Sequence, residues 1–392
     1  MQRTRYTNEQ AFADEMNDFY RRFDTQDSSS RCDSVLSDVF VSNADRLEID
    51  VDVVTKVFQH VCSRKATGPD GIPAFLLKTF AEELAPAWCP IFQLSVDSHR
   101  VPILWKTSYI TSVPKIICPK ENNDYRPVAL TSIVMKCLEC LVACKLRLDV
   151  QDYLDPFQYA YRHGRGTYDA VNTVVHLILK HLDKPMAYAR LLFIDYSLAF
   201  NLIQPHTLLS KLKQMNVNPY IIKWYHSFLT DIVQLVKVNQ TLSQTVVTNT
   251  GAPQGCVSLP ILYFLYTNDC TSSSTNNYIT QFSDDSAILS LLHADSDISM
   301  YTSEIESFVH WCDNNHLKLN VSKTQEMIFD AKCIVADHLP VVIHGEEIAQ
   351  IGQYKYLGVH LDNKLSWNVH VHSVCSKVHQ RWSWQLDHAY ET

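Results

Sequence analysis

A chain of 392 residues, 46% of them hydrophobic, can bury one sizeable core or two contiguous ones. Only 9 glycines and 15 prolines are spread along it, with no long low-complexity tract, which excludes a fibrous or disordered chain. The formal net charge of −8 argues against a protein whose whole surface grips nucleic acid, while leaving room for a local basic channel.

The first residues, MQRTRYTNEQAFADEM, lack the continuous apolar stretch of a signal peptide, and nowhere do eighteen apolar residues run together. An intracellular protein is therefore expected, in nucleus or cytoplasm, neither secreted nor membrane-held. The 12 cysteines are scattered and read as small buried hydrophobes in a reducing compartment. Residues 9–27 carry Phe12, Met16, Phe19, Tyr20 and Phe23 at helical spacing. Ser28, Ser29 and Ser30 form the one linker-like stretch, and residues 50–62 predict another helix. TGPDGIP (67–73) is a turn, because Gly, Pro and Asp-Gly offer little to a regular element, and a helical pattern follows it. TSYITSVPKI reads as a strand ending at a proline, and YRPVALTS as an extended loop. KCLECLVACKLRL reads as a helix packing Leu138, Leu141 and Val142 inward; Cys137 and Cys140 lack a second pair at zinc-site spacing. Lysines and arginines gather at Arg64, Lys65 and Lys78, at Lys106, Lys115, Lys120 and Arg126, and at Arg162 and Arg165.

From residue 190 strands and helices alternate. RLLFIDY is a buried strand closing on Asp195, and Pro205 suits the first turn of the next helix. VQLVKVNQTLSQTVVTNT reads as a hairpin, and GAPQG (251–255) as a tight loop before an apolar segment. In QFSDDSAIL two apolar runs meet at adjacent aspartates, as in a hairpin with Asp284 and Asp285 at its tip. A helix over 299–316, the stretch LKLNVSKTQEMIF, the strand YKYLGVHLD and a last helix from near Trp367 complete the chain. In that helix His370, His372, Cys375 and His379 are expected on the exposed side of a row formed by Val371, Val374 and Val378. The order is α+β, with antiparallel hairpins among helices.

An acidic pair is common in ordinary turns. An antiparallel sheet could nevertheless bring Asp195, Asp284 and Asp285 to one edge, where three carboxylates repel one another unless a cation sits among them. Hard divalent ions prefer oxygen ligands, and two such ions held together can clamp the attacking and leaving oxygens of a phosphoryl transfer.

FIDYSLAFN, TGAPQGCV, QFSDDSAIL, LNVSKTQEM and YKYLGV occur in the order and spacing of the palm motifs of reverse transcriptases. KATGPDGIP, VPK and YRPVALTS resemble the finger motifs of non-LTR (LINE-type, jockey-like) retrotransposon polymerases, and the resemblance covers residues 50–375. It implies a right-hand polymerase of fingers, palm and partial thumb with an antiparallel palm sheet. The corresponding divisions are a helical extension (1–49), fingers and leading palm (50–189), palm (190–353), and primer grip with partial thumb (354–392). The implied activity is RNA-directed DNA synthesis on an RNA template and DNA primer from dNTPs, with two Mg²⁺ ions, or Mn²⁺ in their place. Asp195 and Asp284 would hold the metals, with Asp285 keeping the site's charge and geometry. Lys323 matches a lysine near the leaving pyrophosphate. Phe200 matches the gate against the 2′-OH, Gln254 and Gly255 the nucleotide loop, and Lys115 and Arg126 the triphosphate-binding residues.

The sequence departs from this pattern in several places. No endonuclease segment precedes the motifs and the thumb is short, which leads to the expectation of a chain that does not nick its own target. Leu259 stands before Pro260 where relatives have a small residue, and Ile232 and Leu235 stand where they often have basic ones. An inactive remnant, serving at most as a nucleic-acid-binding or scaffold protein, is the alternative expectation.

Overall fold

The computed structural model describes residues 8–389 except 23, 25–27, 43–44, 198, 252–254, 273, 295–297 and 331–337. The chain divides into two compact units: Met1–Leu154 with Leu198–Thr267, and Asp155–Ser197 with Asn268–Thr392. Among the described residues no helix is long and apolar enough to cross a membrane.

The first unit is built on strands Ser108–Pro114, Tyr125–Leu130 and Ile232–Val238, with two short strands, Thr241–Leu242 and Val246–Thr248, beside the last. Phe12, Ala13, Met16 and Tyr20 of the helix Glu9–Tyr20 bury against Ile110, Ala129 and Val236 of this sheet. Asn8 caps that helix, its Oδ1 accepting the Gln10 N–H at 2.9 Å. Predicted as a loop, YRPVALTS instead supplies a strand, with Pro127 opposite Ser112. The strand lies at the sheet's edge, where a residue without an N–H is tolerated. The serines expected to form a linker open the helix Ser28–Leu36. Ile232 is buried, so an apolar side chain there serves the core. Helices Val51–Gln59 and Ala81–Asp97 meet through Phe58 and Phe92, whose rings cross edge-on at 6.2 Å. The 67–73 turn supports the helix Ile133–Val150: Asp70 accepts from the Ser132 hydroxyl, and Ser132 caps the Met135 N–H at 3.0 Å. Gly68 is required beside it, since a Cβ there would lie 2.6 Å from the Thr131 carbonyl oxygen.

The second unit holds a five-stranded sheet in the order Ala349–Gln350, Gln325–Phe329, Ala187–Ile194, Asp285–His293, Asn277–Phe282. All of its pairings are antiparallel except that of Ala349–Gln350 with Gln325–Phe329. The central strand is buried along its whole length. Its Ala189, Leu191 and Phe193 pack with Val171, Val174, Val175 and Ile178 of the helix Thr167–Leu182. Arg190, of the alternate set, lies under the Tyr301 ring of the helix Ser299–Asn314, so helices cover both faces. Both units mix helices with antiparallel-rich sheets, which is the α+β class.

YKYLGVHLD was expected as a single strand and is a hairpin, Gln353–Tyr356 with Val359–Asp362. Leu357 and Gly358 turn it with φ of 47° and 88°, the backbone of a tight two-residue turn. Val371, Val374 and Val378 are exposed on the helix Asn368–Ala389, so they form no buried row beneath the histidines.

Candidate active site

The acidic pair stands at the edge of the second unit's sheet. The ladder between Ala187–Ile194 and Asp285–His293 ends with Ile194 opposite Ser286, so Asp195, the next residue of one strand, and Asp285, the first residue of the other, come to the same end of it. Phe282 pairs with Asp285, leaving Ser283 and Asp284 as the turn of the hairpin. Ser283 takes the left-handed backbone that the turn needs (φ 60°), and the Tyr161 hydroxyl lies 2.8 Å from its Oγ. Asp284 and Asp285 are exposed, and Asp195 is partly so.

Their charges oppose one another. Burial of its carboxyl, reinforced by Asp284 and then Asp195, pushes Asp285 up to about 6. Asp195 has the counter-groups: Asn320 donates through Nδ2 to its Oδ2 at 2.9 Å, and Lys323 Nζ lies 3.8 Å from the same oxygen. The backbone fixes this arrangement, because the Asn320 N–H donates to the Asp195 carbonyl at 2.8 Å and the Asp195 N–H to Thr324 Oγ1 at 3.5 Å. Beneath the cluster, Tyr354 of the hairpin stacks on Phe193 at 3.9 Å. Burial raises the Tyr354 phenol, and Asp285 and Asp195 raise it further.

Three oxygen-donor carboxylates crowded together suit a hard divalent cation, whose charge would offset part of what raises Asp285. As placed, however, no three His, Cys, Asp or Glu side chains among the described residues close into a ligand set. Asp195 turns toward Asn320 and Lys323, and Asp284 stands out at the turn.

The other predicted residues belong to the first unit. Lys115 closes the loop between two strands, donating from Nζ to the Asn123 carbonyl at 2.8 Å. Arg126 is exposed on Tyr125–Leu130, opposite Val113. Phe200 is half-buried in a single turn, Ala199–Asn201, its ring 4.8 Å from that of Tyr263. Gly255 has φ +91°, and an added Cβ would come 3.4 Å from the Ala129 carbonyl oxygen. Gly251, at the other end of the loop, has φ +78° with the Asn201 carbonyl oxygen 3.0 Å from where a Cβ would stand. Gln254 lies outside the described residues. Of the basic groupings, Lys106 is buried and donates to the Thr230 carbonyl at 2.9 Å, while Arg162 donates to the Asp155 carbonyl at 2.7 Å. These two brace the fold.

Asn320 and Thr324 were not singled out from the sequence. The available signal was their place in LNVSKT, beside Lys323; the contact itself spans 125 residues.

A family model described as reverse transcriptase (RNA-dependent DNA polymerase) matches residues 118–361. The chain is 27% identical to a probable RNA-directed DNA polymerase from transposon BS of Drosophila melanogaster, over 85% of this chain and 38% of that protein. It is 26% identical to the RNA-directed DNA polymerase from mobile element jockey of the same fly, over 79% of this chain and 35% of that one. The probable RNA-directed DNA polymerase from transposon X-element is 27% identical, over 83% and 36%. The chain therefore spans less than two fifths of the length of these curated relatives. With a family match across more than half of its residues, the chain belongs to the reverse transcriptase family.

Proposed function

We propose that the chain is an RNA-directed DNA polymerase of the non-LTR retrotransposon type, adding dNTPs to a DNA primer on an RNA template. The observation that carries this reading is the meeting of Asp195 with the Asp284–Asp285 turn at one sheet edge, with Lys323 against Asp195. The family match and the names of the relatives support it. In this reading the second unit's sheet belongs to the palm, the strands Ser108–Pro114 and Tyr125–Leu130 belong to the fingers and leading palm, and the residues after the 353–362 hairpin begin a thumb.

Asp195, Asp284 and Asp285 would hold two Mg²⁺ ions, with Mn²⁺ as a substitute. Such ions lower the charge on the phosphates and activate the attacking oxygen when bound. The primer 3′-oxygen forms a bond to the α-phosphorus of the dNTP, the bond to pyrophosphate breaks, and the primer hydroxyl gives up its proton to water. Lys323, 3.8 Å from Asp195 Oδ2, would supply a proton to the leaving pyrophosphate. Lys115 and Arg126 supply charge-assisted donors for the triphosphate. Phe200, its ring 4.8 Å from that of Tyr263, would stand against a 2′-OH. Gln254 and Gly255 line the nucleotide, Gly255 through a backbone that tolerates no strain-free side chain. Template and primer are held mainly through their phosphates.

Extension of a DNA primer annealed to RNA, with dNTPs and Mg²⁺, tests the reading beside Asp284→Asn. Extension by the parent chain and its loss in the variant support it. A folded chain that binds template and primer without extending them would leave a nucleic-acid-binding remnant.

A further inference from the structure

Within the first unit, the helix Ile133–Val150 presents a nearly continuous buried row in which Met135, Leu138 and Val142 surround one carboxylate, Glu139. Glu139 is 1% exposed. Its Oε2 accepts two consecutive backbone donors, the N–H of Val257 at 2.8 Å and of Ser258 at 3.0 Å. These donors belong to the short segment between Gly255 and the helix Leu259–Thr267, which is neither helix nor strand. No ladder is there to satisfy its amides, so Glu139 does so from outside. A second buried contact holds the same point: the Tyr225 hydroxyl donates to Ser258 Oγ at 3.1 Å. From Ser258 the next helix starts, its carbonyl accepting the Leu262 N–H at 2.9 Å.

A leucine at position 139 would pack the same row without taking a charge out of water. What the carboxylate adds is the fixed position of two amides, two and three residues after Gly255. Burial raises Glu139 to about 7 in spite of the Ser258 and Val257 donors, so the arrangement carries a desolvation cost that a purely structural apolar residue would avoid. Gly255 sits on an unusual backbone close to Ala129 and cannot hold its own place through a side chain.

We propose that Glu139 is a positioning residue for the incoming nucleotide, fixing through the Val257 and Ser258 amides the backbone that carries Gly255. This rests on the reading of the Gly255 loop as part of the nucleotide site. It predicts a defect in dNTP affinity, separate from the chemistry at the aspartates and from template binding.

Glu139→Leu keeps the volume and removes the acceptor, and Glu139→Gln keeps an acceptor oxygen. Amide exchange of residues 255–259 in the full chain, with and without dNTP, is measured beside KM and kcat for a single addition and Kd for template–primer. In Glu139→Leu, exchange at 255–259 should quicken at least tenfold while Ala187–Ile194 exchanges as in the parent. The dNTP KM should rise on the order of tenfold, with kcat changed less than about threefold and template–primer Kd unchanged. Glu139→Gln should stay close to the parent in every readout. Should Glu139→Leu not fold, Tyr225→Phe removes only the bond to Ser258 and should move both exchange and KM in the same direction by a smaller factor. Unchanged exchange and KM in the leucine variant, a glutamine variant that behaves like the leucine one, or a parallel loss of kcat and template binding would each overturn the proposal. A parent chain in which dNTP gives residues 255–259 no protection would instead refute the nucleotide-loop reading, and the exchange data without dNTP would still judge the clamp.

Discussion

Arg190 and Glu326 are both fully buried, and their pairing offers a quantitative test of what an unpaired charge costs in the sheet that carries the acidic turn. Two parallel bonds join them, Arg190 Nε to Oε1 at 2.9 Å and Nη2 to Oε2 at 2.7 Å. Tyr301 adds its hydroxyl to Oε1 at 2.6 Å, and Arg190 Nη2 also donates to the Leu339 carbonyl at 2.7 Å. Arg190 lies five residues before Asp195, and Glu326 lies three after Lys323 on the neighbouring strand. Glu326→Gln keeps the shape and leaves the guanidinium charge without its counter-ion in a dry site. Breaking a buried pair in this way costs about 3–5 kcal/mol, a large part of the 5–15 kcal/mol that a typical domain has in total. Urea unfolding followed through amide exchange of Ala187–Ile194 should show a midpoint lowered by about 1–2 M. The combined Arg190→Met, Glu326→Leu, Tyr301→Phe variant removes all three polar partners together. It should recover to within about 2 kcal/mol of the parent or exceed it, since paired burial gives back little net energy. A loss below about 1 kcal/mol in Glu326→Gln, or a triple variant as unstable as the single one, would refute the view that the cost comes from leaving a charge unpaired in this dry site.

Other consequences follow from the same geometry. Asp285 has a folded pKa of about 6, above the carboxylate value of the unfolded chain, so its neutral form favours folding. That contribution is fully present below about pH 4 and is lost as pH rises through 6. The shift alone would be worth about 3 kcal/mol, which solvent screening at this exposed residue reduces to about 1 kcal/mol. Metal-free Asp285→Asn should therefore be more stable than the parent at pH 7.5 and no more stable at pH 3.5; equal differences at both pH values in thermal melts would contradict the crowding of carboxylates. Phe200→Val should raise ribonucleotide incorporation on the order of ten- to a hundredfold, matching the 1–3 kcal/mol cost of overpacking, and an unchanged ratio of rNTP to dNTP use would remove Phe200 from the gate. Lys323→Ala should leave stability nearly unchanged, because the side chain is 70% exposed, while lowering kcat on the order of a hundredfold at unchanged template affinity. A kcat within threefold of the parent would end its assignment as the proton donor.

The acidic hairpin was legible in QFSDDSAIL because period-two patterning breaks at the two aspartates, a local signal that needs no partner. The helix Pro205–Gln214 was legible through another local signal, Pro205 in its first turn. YRPVALTS misled because a proline argues against a strand, and only the sheet order reveals that this one is at an edge. The hairpin in YKYLGVHLD hid behind a Leu-Gly turn, since Leu357 carries a positive φ that its side chain does not advertise. Ser28–Ser30 read as linker because the residues that favour loops also favour helix starts. The polar groups that organise each unit were the least legible. Arg190 finds Glu326 across 136 positions, Asn320 finds Asp195 across 125, and Glu139 finds the amides of Val257 and Ser258 more than a hundred positions away. In each case the sequence shows a polar residue within or beside an apolar run, and only the fold shows what it touches.

The central claim is that the carboxylates at the sheet edge carry out templated addition to a primer. Single additions with each of the four dNTPs in turn, on an RNA template of defined next base with an annealed DNA primer and Mg²⁺, test it most directly. The account predicts incorporation of the complementary dNTP alone, at a rate that vanishes in Asp195→Asn. Incorporation regardless of the template base, incorporation that survives Asp195→Asn, or none by a folded chain that binds the template and primer would contradict it.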